Sequence, residues 1–326
     1  MINVAIVGAT GVVGQMFLRI LEEKNLDIDS YTLLASSRSK GKKIKFMDKE
    51  LEIEELTKDS FNNNRFQYAL FSASSEISEK FAKIAVKNGC IVIDNSSFFR
   101  MDKSVPLVVP EVNEDEIFEN NGIIANPNCS TIQAVIPLKR LDEKYTLKRV
   151  IYSTYQAASG AGKKGMDDLL NNTTTKFPYP IQNNCIPQVD VFLDNGYSKE
   201  EIKMVEETRK ILRKSKLPIT ATCTRVPVLN SHSESINVEL ENEFKIDDIK
   251  ALLNNSPNII VLDDTQKQIY PLNTFVTGTD EVYIGRIRRD YSVKNGINFW
   301  CVADNLRKGA ATNAVQILEK LIKAQT

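Results

Sequence analysis

The sequence predicts an α/β chain in two parts, a doubly wound parallel-sheet half followed by an α+β half. Three observations lead there. Short β-branched runs alternate with helical patterns up to about residue 128, as βαβ units do. From Val150 onward several strand patterns follow one another with fewer helices between them, which suits a largely antiparallel sheet. At about 150 residues per domain, the 326 residues suffice for two domains that each bury a core.

In order, Val4-Ala5-Ile6-Val7 is a buried strand, and Val12, Met16, Leu18 and Leu21 supply the apolar positions of the helix after it. Tyr31 to Ala35 and Tyr68 to Ser72 are further strands, then comes a helix near Ser78 to Asn88. Ile91 to Ile93 and Ile123 to Ala125 add two strands, with a helical pattern from Ile132 to Leu141. In the second half, strands are expected at 150–157, 219–225, 235–240, 282–288 and 298–303. Helices are expected at 199–214, 246–253 and 310–323. No internal repeat or Gly/Ser linker interrupts the pattern.

Composition removes several function classes. The 42 basic and 42 acidic side chains cancel, so no polyanion-binding surface and no nucleic-acid partner is implied. No apolar run approaches the ~18 residues of a membrane helix, and the N-terminus lacks a signal-peptide pattern. Five cysteines, odd in number, widely spaced and without a CxxC pair, argue against disulfides or zinc and for a reducing cytoplasm. A single histidine, His232, excludes any site that needs two imidazoles; no metal site is expected.

Gly8-Ala9-Thr10-Gly11-Val12-Val13-Gly14 follows the first strand and opens the first helix. Glycines there permit the tight turn and close approach to a pyrophosphate, which the helix N-terminus attracts. The half is therefore expected to be a Rossmann-type dinucleotide-binding domain, although the spacing is GxxGxxG rather than GxGxxG. The second strand runs into Ala35-Ser36-Ser37-Arg38-Ser39-Lys40 with no acid. A carboxylate would repel a ribose 2′-phosphate, whereas Arg38, with Ser37 and Ser39, can hold one. NADP is thus favoured over NAD, with Lys40, Lys42 and Lys43 adding charge nearby.

Asn126-Pro127-Asn128-Cys129-Ser130-Thr131 joins a strand to a helix, so Cys129 lies at a helix N-terminus, where the dipole favours thiolate. Cys90 and Cys301 sit in strand patterns and read as buried structural thiols. His232 falls in a polar stretch between two strands. A dinucleotide-type fold with one such cysteine and one histidine suggests thiohemiacetal chemistry. The thiolate adds to an aldehyde, the cofactor accepts hydride, and imidazole shuttles a proton on the carbonyl oxygen.

The segments GATGVVG at 8–14, ASSRS at 35–39, NSSFFR at 95–100, VPEVN at 109–113, NPNCSTIQ at 126–133, YQAASGAGKKG at 155–165 and RVPVLNSHSES at 225–235 together resemble the aspartate-β-semialdehyde dehydrogenase family. The resemblance runs from residue 2 to about residue 320. It implies NADPH-dependent reductive dephosphorylation of L-aspartyl 4-phosphate, with Cys129 forming a thioester, His232 as acid–base and Gln156 orienting the intermediate. By the same resemblance Arg225 takes the substrate α-carboxylate, Arg100 and Lys203 the phosphate, and Glu200 rather than Glu201 the α-ammonium, with Asn128 beside the nucleophile. Ser159, Gly160 and Asn305 join Gly8, Thr10, Gly11, Val12, Val13, Gly14, Ser37, Arg38 and Ser39 as cofactor contacts. The family also implies a homodimer or homotetramer. Residues 309–326 would return to the NADP-binding domain of residues 1–128, leaving 129–308 as the catalytic and dimerisation domain.

Taken as an extended strand, the seven-residue offset from Arg225 to His232 would place them on opposite faces, although Pro227 and Asn230-Ser231 break the strand between them. The nearest alternative enzyme is N-acetyl-γ-glutamyl-phosphate reductase, whose cysteine sits in a Gly-Cys-Tyr type turn unlike Asn128-Cys129-Ser130. A non-catalytic paralogue with a binding role would have lost Cys129 or His232, and both are present.

Overall fold

The computed structural model describes residues 1–324; residues 325 and 326 of the expected segment 309–326 lie outside the described residues. The chain divides into two compact units, Met1–Pro127 with Ala310–Thr326, and Asn128–Gly309. Against the expected boundaries, Asn128 and Gly309 fall in the second unit. Asn128 is there because its side chain caps the helix that begins at Cys129. The Gly309 N–H is tied to the Asp304 carbonyl at 3.0 Å.

The first unit runs β1 (Asn3–Val7), α1 (Val12–Lys24), β2 (Ser30–Ala35), β3 (Lys43–Phe46), β4 (Lys49–Glu55), β5 (Tyr68–Phe71), α2 (Ser75–Lys87), β6 (Ile91–Asp94), α3 (Pro110–Asn113) and β7 (Ile123–Ala125). Its sheet has the order β3-β4-β2-β1-β5-β6-β7, with β1 parallel to both β2 and β5. The strand order therefore reverses at β1, and the crevice at its carboxyl end is where open sheets bind ligands. Val4, Ala5 and Ile6 are fully buried, as expected of a parallel strand covered on both faces. Phe17 and Leu21 of α1 share a core with Leu33, Leu70 and the C-terminal helix Thr312–Lys323, which is α9 in chain order and contributes Val315 and Leu318. Lys24 and Glu319 pair at 2.8 Å across α1 and α9.

The antiparallel β3–β4 hairpin was not expected from the pattern. Its two-residue turn, Met47-Asp48, has positive φ at both positions, the conformation that matches strand twist in a tight hairpin.

The second unit runs α4 (Cys129–Tyr145), β8 (Leu147–Gln156), α5 (Gly162–Asn171), α6 (Lys199–Ile211), β9 (Ile219–Arg225), β10 (His232–Leu240), α7 (Ile246–Asn254), β11 (Ile259–Val261), α8 (Asn273–Val276), β12 (Val282–Asp290) and β13 (Gly296–Ala303). The sheet order is β11-β12-β13-β10-β8-β9. Three pairings are antiparallel, but β8–β9 and β11–β12 are parallel, so the sheet is mixed. Pro137 inside α4 has no N–H to give the Gln133 carbonyl. The Cys301 thiol of β13 donates to that carbonyl instead, at 3.6 Å.

Several ends differ from expectation. Helix α6 stops at Ile211 and is followed by Arg213 at φ 56. A π-helical turn at Arg307–Ala311 delays α9 to Thr312. Strand β10 starts at His232 rather than Ser235, because His232 pairs with Ala303 of β13. The histidine is therefore wholly buried in a sheet, not placed in a polar loop.

Candidate active site

In the first unit, Gly8 lies at φ +82, and a Cβ there would come within 2.2 Å of the Ser72 carbonyl oxygen. A Cβ on Gly14 would strike the Gly8 oxygen equally closely, so α1 approaches the turn only because both are glycine. Gly11 begins α1 without a side-chain cap, which leaves its first N–H groups for an anion. Gly8, Thr10, Gly11 and Ser37 line a cavity of about 480 Å³, together with Ser72 and Lys80. Sequence reasoning missed Ser72 and Lys80; their contribution depends on β5 and α2 meeting at the switch point. Val12, Val13 and Gly14 lie in α1, with Gly14 buried. Ser37–Ser39 form a 3-10 turn with Arg38 exposed and Ser39 buried. Lys40 and Lys43 are paired with Glu55 and Glu50, so that part of the expected positive field is already neutralised. Arg100 is buried, its guanidinium donating to the Asn95 carbonyl at 2.9 Å.

In the second unit, Cys129 is the first residue of α4 and half-buried. The Asn128 carboxamide oxygen caps the helix by accepting from the N–H groups of Ser130 and Thr131, while its Nδ2 donates to Glu200 at 2.8 Å. Gln156, at the end of β8, donates to Glu200 at 3.0 Å and to Ser130 at 2.6 Å. A Cβ on Gly309 would lie 3.0 Å from the Cys129 Cβ, so the thiol's seat depends on a glycine far along the chain.

The two adjacent glutamates divide sharply. Glu201 closes a capping box with Ser198 and accepts from the Cys223 N–H, so helix architecture consumes it. Glu200 meets Asn128, Gln156 and Lys203. Burial alone would raise its pKa, but Lys203, those two amides and Arg225 hold the carboxylate below its ordinary value. Lys203 also bridges to Asp190 at 2.7 Å, a partner sequence reasoning missed because it lies 13 residues away in a loop.

Arg225, at the end of β9, donates to the Ala157 carbonyl at 2.6 Å and lies over the Phe177 ring at 5.9 Å. Burial lowers its pKa, opposed by Glu200 and Cys129. A Cβ on Gly160 would lie 2.9 Å from an Arg225 terminal nitrogen and 3.1 Å from His232 Nε2. The two side chains therefore converge, contrary to the opposite faces of an unbroken strand; Ser231 at φ 68 turns the chain between them. Burial, then Arg225, push the imidazole down to about 3. Ser159 and Asn305 bond each other at 3.1 Å, and Asn305 also accepts from the Ser231 N–H at 2.9 Å. Cys90 and Cys301 are buried and their thiol pKa values raised by burial, that of Cys90 to about 12.

The semialdehyde dehydrogenase NAD binding domain matches residues 3–120, and the semialdehyde dehydrogenase dimerisation domain matches residues 138–308. Aspartate-semialdehyde dehydrogenase of Campylobacter jejuni is 49% identical, over 98% of this chain and 97% of its own. The chain belongs to the aspartate-semialdehyde dehydrogenase family. The Vibrio cholerae aspartate semialdehyde dehydrogenase II complexed with ASA matches with a TM-score of 0.95 at 44% identity, covering 99% of this chain and 98% of that one. The Candida albicans enzyme with NADP matches with a TM-score of 0.80 at 27% identity over 98% of each chain. The reductase and non-catalytic alternatives are not favoured. Among the described residues no helix is long and apolar enough to cross a membrane.

Proposed function

We propose that the chain reduces L-aspartyl 4-phosphate to L-aspartate 4-semialdehyde and phosphate with NADPH, through a thioester on Cys129. The observation that carries this is a cysteine opening α4 in the same unit as an ordered carboxylate, Glu200, a buried guanidinium, Arg225, and the lone imidazole. The Cys129 thiolate attacks the acyl carbon, the phosphate leaves, and the thioester is reduced to the aldehyde as the thiolate is released. NADPH, when bound, supplies the hydride.

Arg225 offers planar recognition to the α-carboxylate, and Glu200 offers the α-ammonium a fixed negative charge. Arg100 and Lys203 take the phosphate, and Asn128 and Gln156 orient the acyl group. Gly8, Thr10, Gly11, Val12, Val13, Gly14, Ser37, Arg38 and Ser39 hold NADP at the first unit, and Ser159, Gly160 and Asn305 contribute from the second. The residues fit a dinucleotide phosphate: the α1 N-terminus is uncapped and no carboxylate stands at the end of β2. The enzyme works in the cytoplasm as a homodimer or homotetramer, in lysine, threonine, methionine and diaminopimelate synthesis.

The test follows NADPH formation from aspartate semialdehyde and phosphate. Inactivity with phosphate or arsenate, together with activity on the N-acetylglutamate analogue, would overturn the assignment.

A further inference from the structure

Asp168 lies in α5 and is fully buried. Its carboxylate accepts five hydrogen bonds, all from hydroxyls and backbone N–H groups. Oδ1 takes the Thr173 hydroxyl at 2.6 Å, and the Thr175 N–H and hydroxyl at 2.8 Å each. Oδ2 takes the N–H groups of Lys176 at 2.7 Å and Phe177 at 3.0 Å. A buried anion is costly unless such donors satisfy it. Here the same five bonds shape the chain that leaves α5. Residues 173–176 are exposed and belong to no helix or strand, so one carboxylate gathers a stretch that has no ladder of its own. Phe177 ends the stretch by turning inward, into a core shared with Ala158, Ile181 and Ile186.

Phe177 carries this fixation to the site. The Arg225 guanidinium carbon lies 5.9 Å from the centre of its ring, within cation–π reach. Arg225 also donates to the Ala157 carbonyl, and its backbone exchanges two hydrogen bonds of 2.8 Å with Ile186. The ring has little room to move toward α5. A Cβ on Gly165 would lie 3.1 Å from the Phe177 ring and 2.7 Å from the Ala158 carbonyl oxygen. One helix therefore seats the ring with a glycine and fixes its backbone with a carboxylate. We propose that Asp168 is a positioning residue for the substrate's α-carboxylate: it holds the turn that lays Phe177 over Arg225. This rests on the reading above in which Arg225 binds that carboxylate.

A free arginine stem loses rotamer freedom when it binds a ligand; the ring and the Ala157 carbonyl have already removed much of it. The apolar ring also excludes water from one face of the guanidinium, which strengthens a charge-assisted hydrogen bond to a carboxylate. The α-carboxylate does not react, so both effects act equally on substrate and transition state. They set KM and leave kcat alone. Lys203 is held separately, by Asp190, further along the same excursion and beyond the Ile186 bridge. The Asp168 bonds end at Phe177, so phosphate binding is not expected to follow.

Steady-state kinetics with aspartate semialdehyde, phosphate and NADP tests this. Asp168→Asn turns an amide donor toward groups that are themselves donors. We expect KM for the semialdehyde to rise about 10-fold, with kcat within about 3-fold of wild type. KM for phosphate and for NADP should stay unchanged. Phe177→Leu leaves Asp168 in place and removes only the ring; the same split is expected, and it decides the matter if Asp168→Asn does not fold. Over Arg225→Lys, where the planar anchor is already lost, either substitution should add less than about 2-fold to KM. An equal rise for phosphate, a fall in kcat with KM unmoved, or the full effect repeated over Arg225→Lys would overturn the proposal. A wild-type enzyme that cannot use semialdehyde and phosphate would defeat the substrate reading and this proposal together. Wild-type turnover with an unmoved KM in the variants would defeat this proposal alone.

Discussion

The nucleotide cradle of the first unit and the thiol cluster of the second are built by opposite means. The cradle is backbone: a glycine at φ +82, a helix packed onto it through a second glycine, and an uncapped helix start. The cluster is side chains at α4, β8, α6, β9 and β10: Asn128 and Gln156 donate to Glu200, and Arg225 and His232 are both held by the Ala157 backbone. A backbone site is broken by adding atoms, a side-chain site by removing them, so each has its own most damaging substitution.

The largest effect is expected at the cluster. Cys129→Ala should lower kcat by about 10⁴-fold or more, because the other cysteines are not at a helix start; retained dehydrogenase activity would refute the thioester. In the cradle, Gly8→Ala adds a Cβ at a positive φ against the Ser72 carbonyl. It should cost about 3 kcal/mol, read from the urea midpoint, with NADP binding weakened in parallel. An unchanged midpoint would mean that the turn is not strained.

Two buried groups on one face of β10 then sharpen the picture through pH. His232 has a depressed pKa, so below its unfolded value of about 6.5 the unfolded chain gains a proton that the folded chain refuses. Its contribution therefore removes about 1 kcal/mol of stability per unit as pH falls from 6.5 toward 5. Glu234 has a raised pKa, and its contribution is complete below its unfolded value and lost as pH rises. Urea midpoints should decline more gently on acidification in His232→Asn than in wild type, and more gently on alkalinisation in Glu234→Gln. Parallel curves would show that neither group titrates differently on unfolding. The smallest effect belongs to the exposed Arg38: Arg38→Ala should reduce the NADP over NAD preference by about 10-fold, measured as the ratio of kcat/KM values. No change would place 2′-phosphate recognition elsewhere.

The same contrast governs what the sequence discloses. The glycine turn is local, so seven consecutive residues announce both the loop and the helix after it. Cys129 is similarly visible, because strand, turn and helix start are contiguous. The β3–β4 hairpin was missed although Ile44, Phe46, Leu51 and Ile53 alternate inward, since the Lys and Glu residues between them look like a solvated loop. Only tertiary pairing reveals why Glu200 and not Glu201 faces Asn128, or that β10 draws His232 into the sheet. The Asp190–Lys203 bridge and the Ala157 donor to the imidazole depend on a loop conformation and a backbone direction that no residue type encodes.

Gly309 has a consequence in time as well as in space. Cys129 leaves the ribosome about 100 residues ahead of His232 and 180 ahead of Gly309. The thiol thus waits for a neighbour that is added 180 residues later. A prematurely terminated product would carry the cysteine without His232, or without the glycine packed beside its Cβ. Nascent chains that stop short of Gly309 therefore carry the thiol without its finished seat, and synthesis through that residue is the condition for completing it.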